Sequence, residues 1–305
     1  MSPSTVSSPS TTPCIVYTLP TELRGDYSGF RFRAEVDWIE LKITTASPTN
    51  FQTVKRRLGV GYAEPIDEGA GGSCSQFKVR FQAPRSWDEV QERLQCLAAD
   101  HPLACPVTVT GVEIALDAYS RSQNRDELVQ MAARFYRSAS KLVSENRRAS
   151  KGKGESHGLE TLTQVQQLLA DGFNIYVGDT QDPERQHIYL KETDSRESLP
   201  LAEHRARIEF TLKDDRVPQA SFSEWRKYDF TSFAPYFKFR RLREDPPLLV
   251  AAPLQSSAQV GERRPRRTPN GHPRMFSRST QADRKLNALA FDALRELNRR
   301  WCSME

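Results

Sequence analysis

No apolar run in these 305 residues approaches the ~18 that a membrane-spanning helix requires. The opening stretch, Met1 to Pro13, is mostly Ser, Thr and Pro. It has neither a basic start nor an apolar core, so it reads as a disordered arm and not as a secretion signal. The five cysteines, Cys14, Cys74, Cys96, Cys105 and Cys302, are odd in number and form no CxxC pair. That argues against a thiolate zinc site and a disulfide framework, and for a reducing, cytoplasmic setting. The five histidines are scattered, with no HxH and no HExxH. No local imidazole pair of the kind that marks a histidine metal site is present.

Charge is present but unevenly placed. The chain carries a formal +5, yet residues 261–300 hold eleven Lys or Arg against four Asp or Glu, a net of +7 that leaves about −2 elsewhere. A basic segment of this kind marks a nucleic-acid partner or a solvated tail. About 37% of residues are hydrophobic, enough for a substantial core.

Periodicity organises the rest. Ala34–Thr45 reads as a strand, and Asn50 caps a short helix through Leu58. Residues 59–75 read as a Gly-rich loop, and Phe77, Val79 and Phe81 alternate along a strand over Gln76–Gln82. Ser86 with Glu89 makes a capping box ahead of the apolar stripe Val90, Leu94, Leu97. Pro106–Ala118 is a long strand, and a helix begins near Asn124. Residues 151–156 read as a polar break, followed by a short helix over Leu159–Leu169. Strand-like runs follow at Asn174–Val177, Gln186–Lys191 and Ala206–Leu212. Residues 225–243 are helical in part, and 247–279 form a basic Pro/Ser-rich linker. A final amphipathic helix runs from Thr280 to Trp301, with Leu286, Ala290, Leu294, Leu297 and Trp301 on its apolar stripe and Arg284, Lys285, Arg295 and Arg299 opposite. The expected organisation is an arm (1–30), a catalytic or DNA-binding domain (31–246), the linker (247–279) and the helix (280–305). The class is α+β, a largely antiparallel sheet with helices on one face.

Chemistry-bearing residues sit inside the strands. Glu113 and Asp117 are four apart, so they share a sheet face about 13 Å from one another. One metal ion is more readily shared by one of them with Glu209 of Arg207-Ile208-Glu209-Phe210 on a neighbouring strand. Such an all-oxygen donor set suits Mg²⁺ or Mn²⁺. Glu35, Asp37 and Glu40 in the first strand can serve similarly, or all of these acids can line a solvated sheet face. In His187-Ile188-Tyr189-Leu190-Lys191 alternation puts His187, Tyr189 and Lys191 on one face. A tyrosine there can attack a phosphodiester, or can simply pack its ring and wet its hydroxyl.

These blocks resemble, in order and spacing, the replication initiation factor family of rolling-circle plasmids and filamentous-phage-like elements. The blocks are Val36-Asp37-Trp38-Ile39-Glu40-Leu41, Gly111 to Asp117, Ile175-Tyr176-Val177-Gly178-Asp179, His187 to Lys191 and Ala206 to Phe210. Against the family pattern, Glu113 stands where Asp is more usual, Asp179 where Ser is, and His187 where Arg is. The resemblance implies a metal-dependent enzyme that nicks one DNA strand and transfers it through a phosphotyrosine. It implies Tyr189 as nucleophile with Tyr176 as the alternative, Glu113, Asp117 and Glu209 as Mg²⁺ or Mn²⁺ ligands, and Lys191 and Arg207 as phosphate contacts. Expected partners are double-stranded origin DNA, nicked or single-stranded DNA and a host helicase, with homodimerisation open. Arg263, Arg264, Arg266 and Arg267 in the basic linker are the expected DNA contacts. Three other readings remain: an origin-binding protein without catalysis, a metal-dependent nuclease that uses water, and an α+β interaction module.

Overall fold

The computed structural model describes residues 26–67, 73–137, 146–152, 155–159, 162–194, 196–242 and 280–302. Its centre is a nine-stranded, wholly antiparallel sheet. In chain order the strands are β1 (Phe30–Asn50), β2 (Tyr62–Pro65), β3 (Ser73–Gln82), β4 (Thr108–Ser120), β5 (Arg147–Lys151), β6 (Glu155–Gly158), β7 (Asn174–Val177), β8 (Glu184–Lys191) and β11 (Arg205–Lys213). Two short hairpin strands, β9 (Thr193–Asp194) and β10 (Glu197–Ser198), precede β11. The order across the sheet is β2-β3-β1-β4-β11-β8-β7-β5-β6, so β4 and β11 lie at its middle. The helices are α1 (Phe51–Leu58), α2 (Trp87–Asp100), α3 (Arg125–Arg137), α4 (Leu162–Ala170) and α5 (Arg284–Cys302).

Local signals explain the boundaries. The Asn50 side chain accepts from the Gln52 amide to start α1, and Gly59 ends it at φ 62°, where a side chain would be strained. Ser86 accepts from the Glu89 amide at 3.2 Å, while Glu89 reaches back to the Arg85 amide at 3.0 Å. Two expectations are corrected. The stretch 59–75 contains β2 and the start of β3, because β2 pairs with β3 along the sheet edge. The polar break at 151–156 is the end of β5 and the start of β6, which pair as a hairpin with β6 at the sheet edge.

One sheet face is apolar. Ile114 and Leu116 of β4, Ile208, Phe210 and Leu212 of β11 and Ile39, Leu41 and Ile43 of β1 are fully buried on it. The segment after β11 stays on this side through 3-10 turns at Glu224–Lys227 and Phe230–Phe233. It ends in β12 (Arg240–Leu242), which pairs with β13 (Thr280–Ala282) just before α5. Helix α5 then buries Leu286, Ala290, Leu294, Leu297 and Trp301. The Trp301 indole donates to the Trp225 carbonyl at 2.9 Å. Leu242 and Thr280, the residues that flank segment 243–279, are thus held side by side. Arg263, Arg264, Arg266 and Arg267 lie outside the described residues. No helix among those described is long and apolar enough to cross a membrane.

Candidate active site

The opposite face of the sheet is polar, and register builds it row by row. Tyr189, Arg207, Asp117 and Arg33 stand opposite one another on β8, β11, β4 and β1. The next row is His187, Glu209, Ala115 and Glu35; the one after is Arg185, Thr211, Glu113 and Trp38. Rows are two residues, roughly 7 Å, apart. Ala115, the smallest of these side chains, leaves open space between the acids around it.

Into that space a third acid enters from β1. The ladder between β1 and β4 slips between Val36 and Trp38, leaving Asp37 unpaired. Asp37 keeps the polar side that alternation from Glu35 gives it, and the bulge brings Trp38 to that side as well. Oxygens of Asp37, Glu113 and Glu209 all lie within 4.8 Å of one another. Of the expected acids, the structure brings Glu113 and Glu209 together; Asp117 does not join them. Asp117 is fully buried and gripped by Arg207, whose Nε and Nη2 each donate to it at 2.6 Å, with Arg205 Nε 3.2 Å away. Arg207 also donates to Asp37 at 2.7 Å and Glu35 at 3.1 Å, and lies 3.4 Å from Glu209. With four carboxylates around it and 1% of its side chain exposed, Arg207 has no surface left for a phosphate. It holds the acids in place.

The electrostatics divide the acids. Burial, then the charge of Glu209, pushes the Glu113 carboxyl up to about 8, although the Thr211 hydroxyl donates to it. Burial and Glu209 also raise Asp37. Burial works to raise Glu209 as well, but the His187 hydrogen bond, the Arg207 charge and the Tyr189 hydroxyl hold it down at about 2. Glu209 is therefore the ionised member and Glu113 the one that keeps a proton. Three oxygens this close, with no sulfur among them, fit Mg²⁺ or Mn²⁺, whose charge would relieve the repulsion that protonates Glu113.

Tyr189 is tied to the same cluster. Its hydroxyl donates to Glu209 Oε1 at 2.8 Å, and His187 Nδ1 meets Glu209 Oε2 at 2.8 Å. The His187 ring is sandwiched between Tyr176 and Tyr189, with centroids 4.5 and 4.3 Å away. The stack fixes the Tyr189 ring while burial and the adjacent Glu209 charge hold its phenol well above the usual range. Tyr176 touches the cluster indirectly, through this stack and through Arg185, whose guanidinium lies 5.8 Å from its ring centroid. Lys191, two residues beyond Tyr189, pairs with Asp194 at 3.4 Å. Sequence patterning ranked Asp37 no higher than Glu35 or Glu40, because cross-strand register decides which of them nears Glu113 and Glu209.

No family model and no curated protein matches the sequence. The solved structure of a rolling circle replication initiator protein from Geobacillus stearothermophilus is similar to this chain at 14% identity, with a TM-score of 0.38. The similarity covers 76% of this chain and 98% of that one. A superposition this loose transfers no residue roles.

Proposed function

We propose that this chain is a rolling-circle replication initiator that nicks an origin strand through Tyr189 with Mg²⁺ or Mn²⁺. The observation that carries the reading is the hydrogen bond from the Tyr189 hydroxyl to Glu209, one of the three converging acids. A candidate nucleophile, its proton acceptor and a divalent-metal donor set occupy one spot. The motif resemblance supplies the reaction class.

In this mechanism the Tyr189 oxygen attacks the phosphorus of a phosphodiester, and its proton passes to Glu209 Oε1. The bond from phosphorus to the 3′ oxygen breaks, leaving a 5′-phosphotyrosyl link and a 3′ end that takes up a proton as a hydroxyl. Reversal with a second strand end accounts for strand transfer. A metal ion held by Asp37, Glu113 and Glu209 would polarise the attacked phosphate and offset the charge it gains. Arg207 keeps Asp37 and Glu209 in register, and the ring stack keeps Tyr189 aimed. Lys191 is the cation on the Tyr189 side, available once it leaves the exposed Asp194. Asp117, in this reading, anchors Arg207 and does not bind the metal.

The test is nicking of supercoiled DNA carrying the cognate origin, with Mg²⁺ or Mn²⁺, and a gel search for covalent protein–DNA adduct. Wild type forms the adduct and Tyr189→Phe does not. Nicking without adduct in wild type would identify a water-using nuclease. An adduct that persists in Tyr189→Phe and disappears in Tyr176→Phe would move the nucleophile. Origin binding with neither nick nor adduct would leave a non-catalytic binding protein.

A further inference from the structure

Beyond Glu113, on the side away from Tyr189, the polar face changes sign. In the next row Lys213 on β11 stands opposite Gly111 on β4, Gly111 opposite Glu40 on β1, and Glu40 opposite Arg80 on β3. Arg185 on β8 stands in the Glu113 row, 4.0 Å from its carboxylate. Arg185 beside Glu113, with Lys213 and Arg80 one row or about 7 Å further along the strands, therefore border one patch.

The patch is built. Gly111 has no side chain because the Trp38 ring lies over it: an added Cβ would come within 2.9 Å of Trp38 Cζ3. The Arg80 guanidinium rests on that ring, 4.2 Å from its centroid, with Tyr62 5.0 Å away on another side. Arg80 Nη2 pairs with Glu40 at 2.9 Å, and Glu40 also accepts from Thr110. The buried Nε atoms of Arg80 and Arg185 have no hydrogen-bond partner among the described residues. Lys213 Nζ donates to the Thr180 carbonyl at 3.0 Å. Burial and then the charges of Arg185 and Arg80 lower the Lys213 ammonium, against the opposing pull of Glu40 and Asp214. Cations that repel one another and keep buried N–H groups unpaired are arranged for an anion.

We infer that Arg185, Lys213 and Arg80 form a phosphate-binding subsite that holds the backbone of single-stranded DNA next to the phosphate at the acidic cluster. The charge change along the face supports this occupant. The acids can meet a phosphate only through a cation, while the neighbouring patch meets one directly. The subsite rests on the proposed handling of a DNA strand at this face, but binding can be measured without cleavage. It also supplies what Arg207, enclosed by carboxylates, cannot.

The experiment is fluorescence anisotropy of the full chain with a short labelled oligo(dT) across a salt series, without divalent metal. Lys213→Gln and Arg185→Gln each weaken binding by roughly tenfold at low salt. Each also reduces the slope of log affinity against log salt by about 0.7, the value for one lost phosphate contact on a single strand. Lys213→Arg restores both, and unchanged thermal unfolding of the variants separates contact from folding. An unchanged slope in both Gln variants overturns the subsite, as does wild-type protein that fails to bind oligo(dT) at low salt. Inorganic phosphate that protects Arg185 and Lys213 wild type from unfolding, with oligo(dT) binding indifferent to both substitutions, would mark a free-anion site and overturn it too. If the binding effects appear but wild type never nicks origin DNA, the nicking reading fails and the subsite stands.

Discussion

At the scale of single residues, burial sets the behaviour of each charge on the polar face. Glu113 keeps its proton up to about pH 8 in the folded, metal-free protein, whereas an unfolded chain releases it near the ordinary carboxylate value. Between those limits the folded state binds more protons, so stability falls as pH rises. Chemical denaturation in the presence of a chelator will therefore show declining stability from about pH 5 to pH 8, and Glu113→Gln will flatten that decline. If Glu113 is a metal donor as proposed, the same substitution will abolish metal-dependent nicking while stabilising the metal-free protein at the upper end of this range. Arg207 is the opposite case. Burial opposes its charge, but the paired Asp117 carboxylate outweighs burial and raises its pKa. Arg207→Met leaves buried Asp117 with Arg205 as its remaining cation and no bidentate partner, and will cost about 3 kcal/mol in urea unfolding. Adding Asp117→Leu to that variant will recover part of the loss, since two apolar side chains leave no buried charge.

At the scale of elements, the bulge in β1 and the seating of α5 do most to shape the molecule. Alternation already sets Asp37 on the face of Glu35, and the bulge brings Trp38 and Glu40 to that same face, beside the acidic cluster. Helix α5 is fastened at its start by Asp283, which accepts from the Leu286 amide at 3.1 Å, from the Tyr27 hydroxyl at 2.5 Å and from Arg134 on α3 at 2.6 Å. Burial tends to raise the Asp283 carboxyl, but these donors hold it below the usual range. A depressed carboxylate contributes stability above its unfolded pKa and loses it as pH falls through the folded value. Asp283→Ala will destabilise the protein by about 3 kcal/mol near neutral pH, read by thermal unfolding. That difference from wild type will shrink as pH falls below the ordinary carboxylate value and on through the lower folded one, where the wild-type carboxylate is itself protonated.

For the whole molecule, the sheet is a partition. Helices and the segment after β11 cover one face, and the acids, the ring stack and the cation patch occupy the other. The C-terminal helix belongs to the covering layer: Trp301 packs against Trp87 and Phe230 at ring distances of 6.4 and 5.3 Å. Removing residues 284–305 strips several buried apolar side chains, each contributing about 1.5–3 kcal/mol when large, from a fold whose total margin is about 5–15 kcal/mol. The shortened chain will lose its cooperative unfolding transition and bind a hydrophobic dye, measured by circular dichroism and dye fluorescence.

Much of this was already written in the sequence. Alternation and capping are local, so Gln76–Gln82, Asn174–Val177 and the Ser86 and Asn50 caps could be read from near neighbours. The apolar stripe of α5 likewise announced that the helix had a surface to cover. Strand periodicity put Glu113 and Asp117 on a shared face, and His187 and Tyr189 on another. What alternation could not decide was register, because pairing depends on residues scores of positions apart. Only the assembled sheet set Glu209 beside Ala115, which left room for Asp37, and set Arg207 against Asp117, which took that acid away from the cluster. The β12–β13 pairing likewise joined residues nearly forty positions apart, Leu242 and Thr280. The sequence by itself determined which residues could carry charge on strands. The tertiary structure decided which of them meet, because a carboxylate's partner is chosen by cross-strand register and burial, and neither is a property of the local chain.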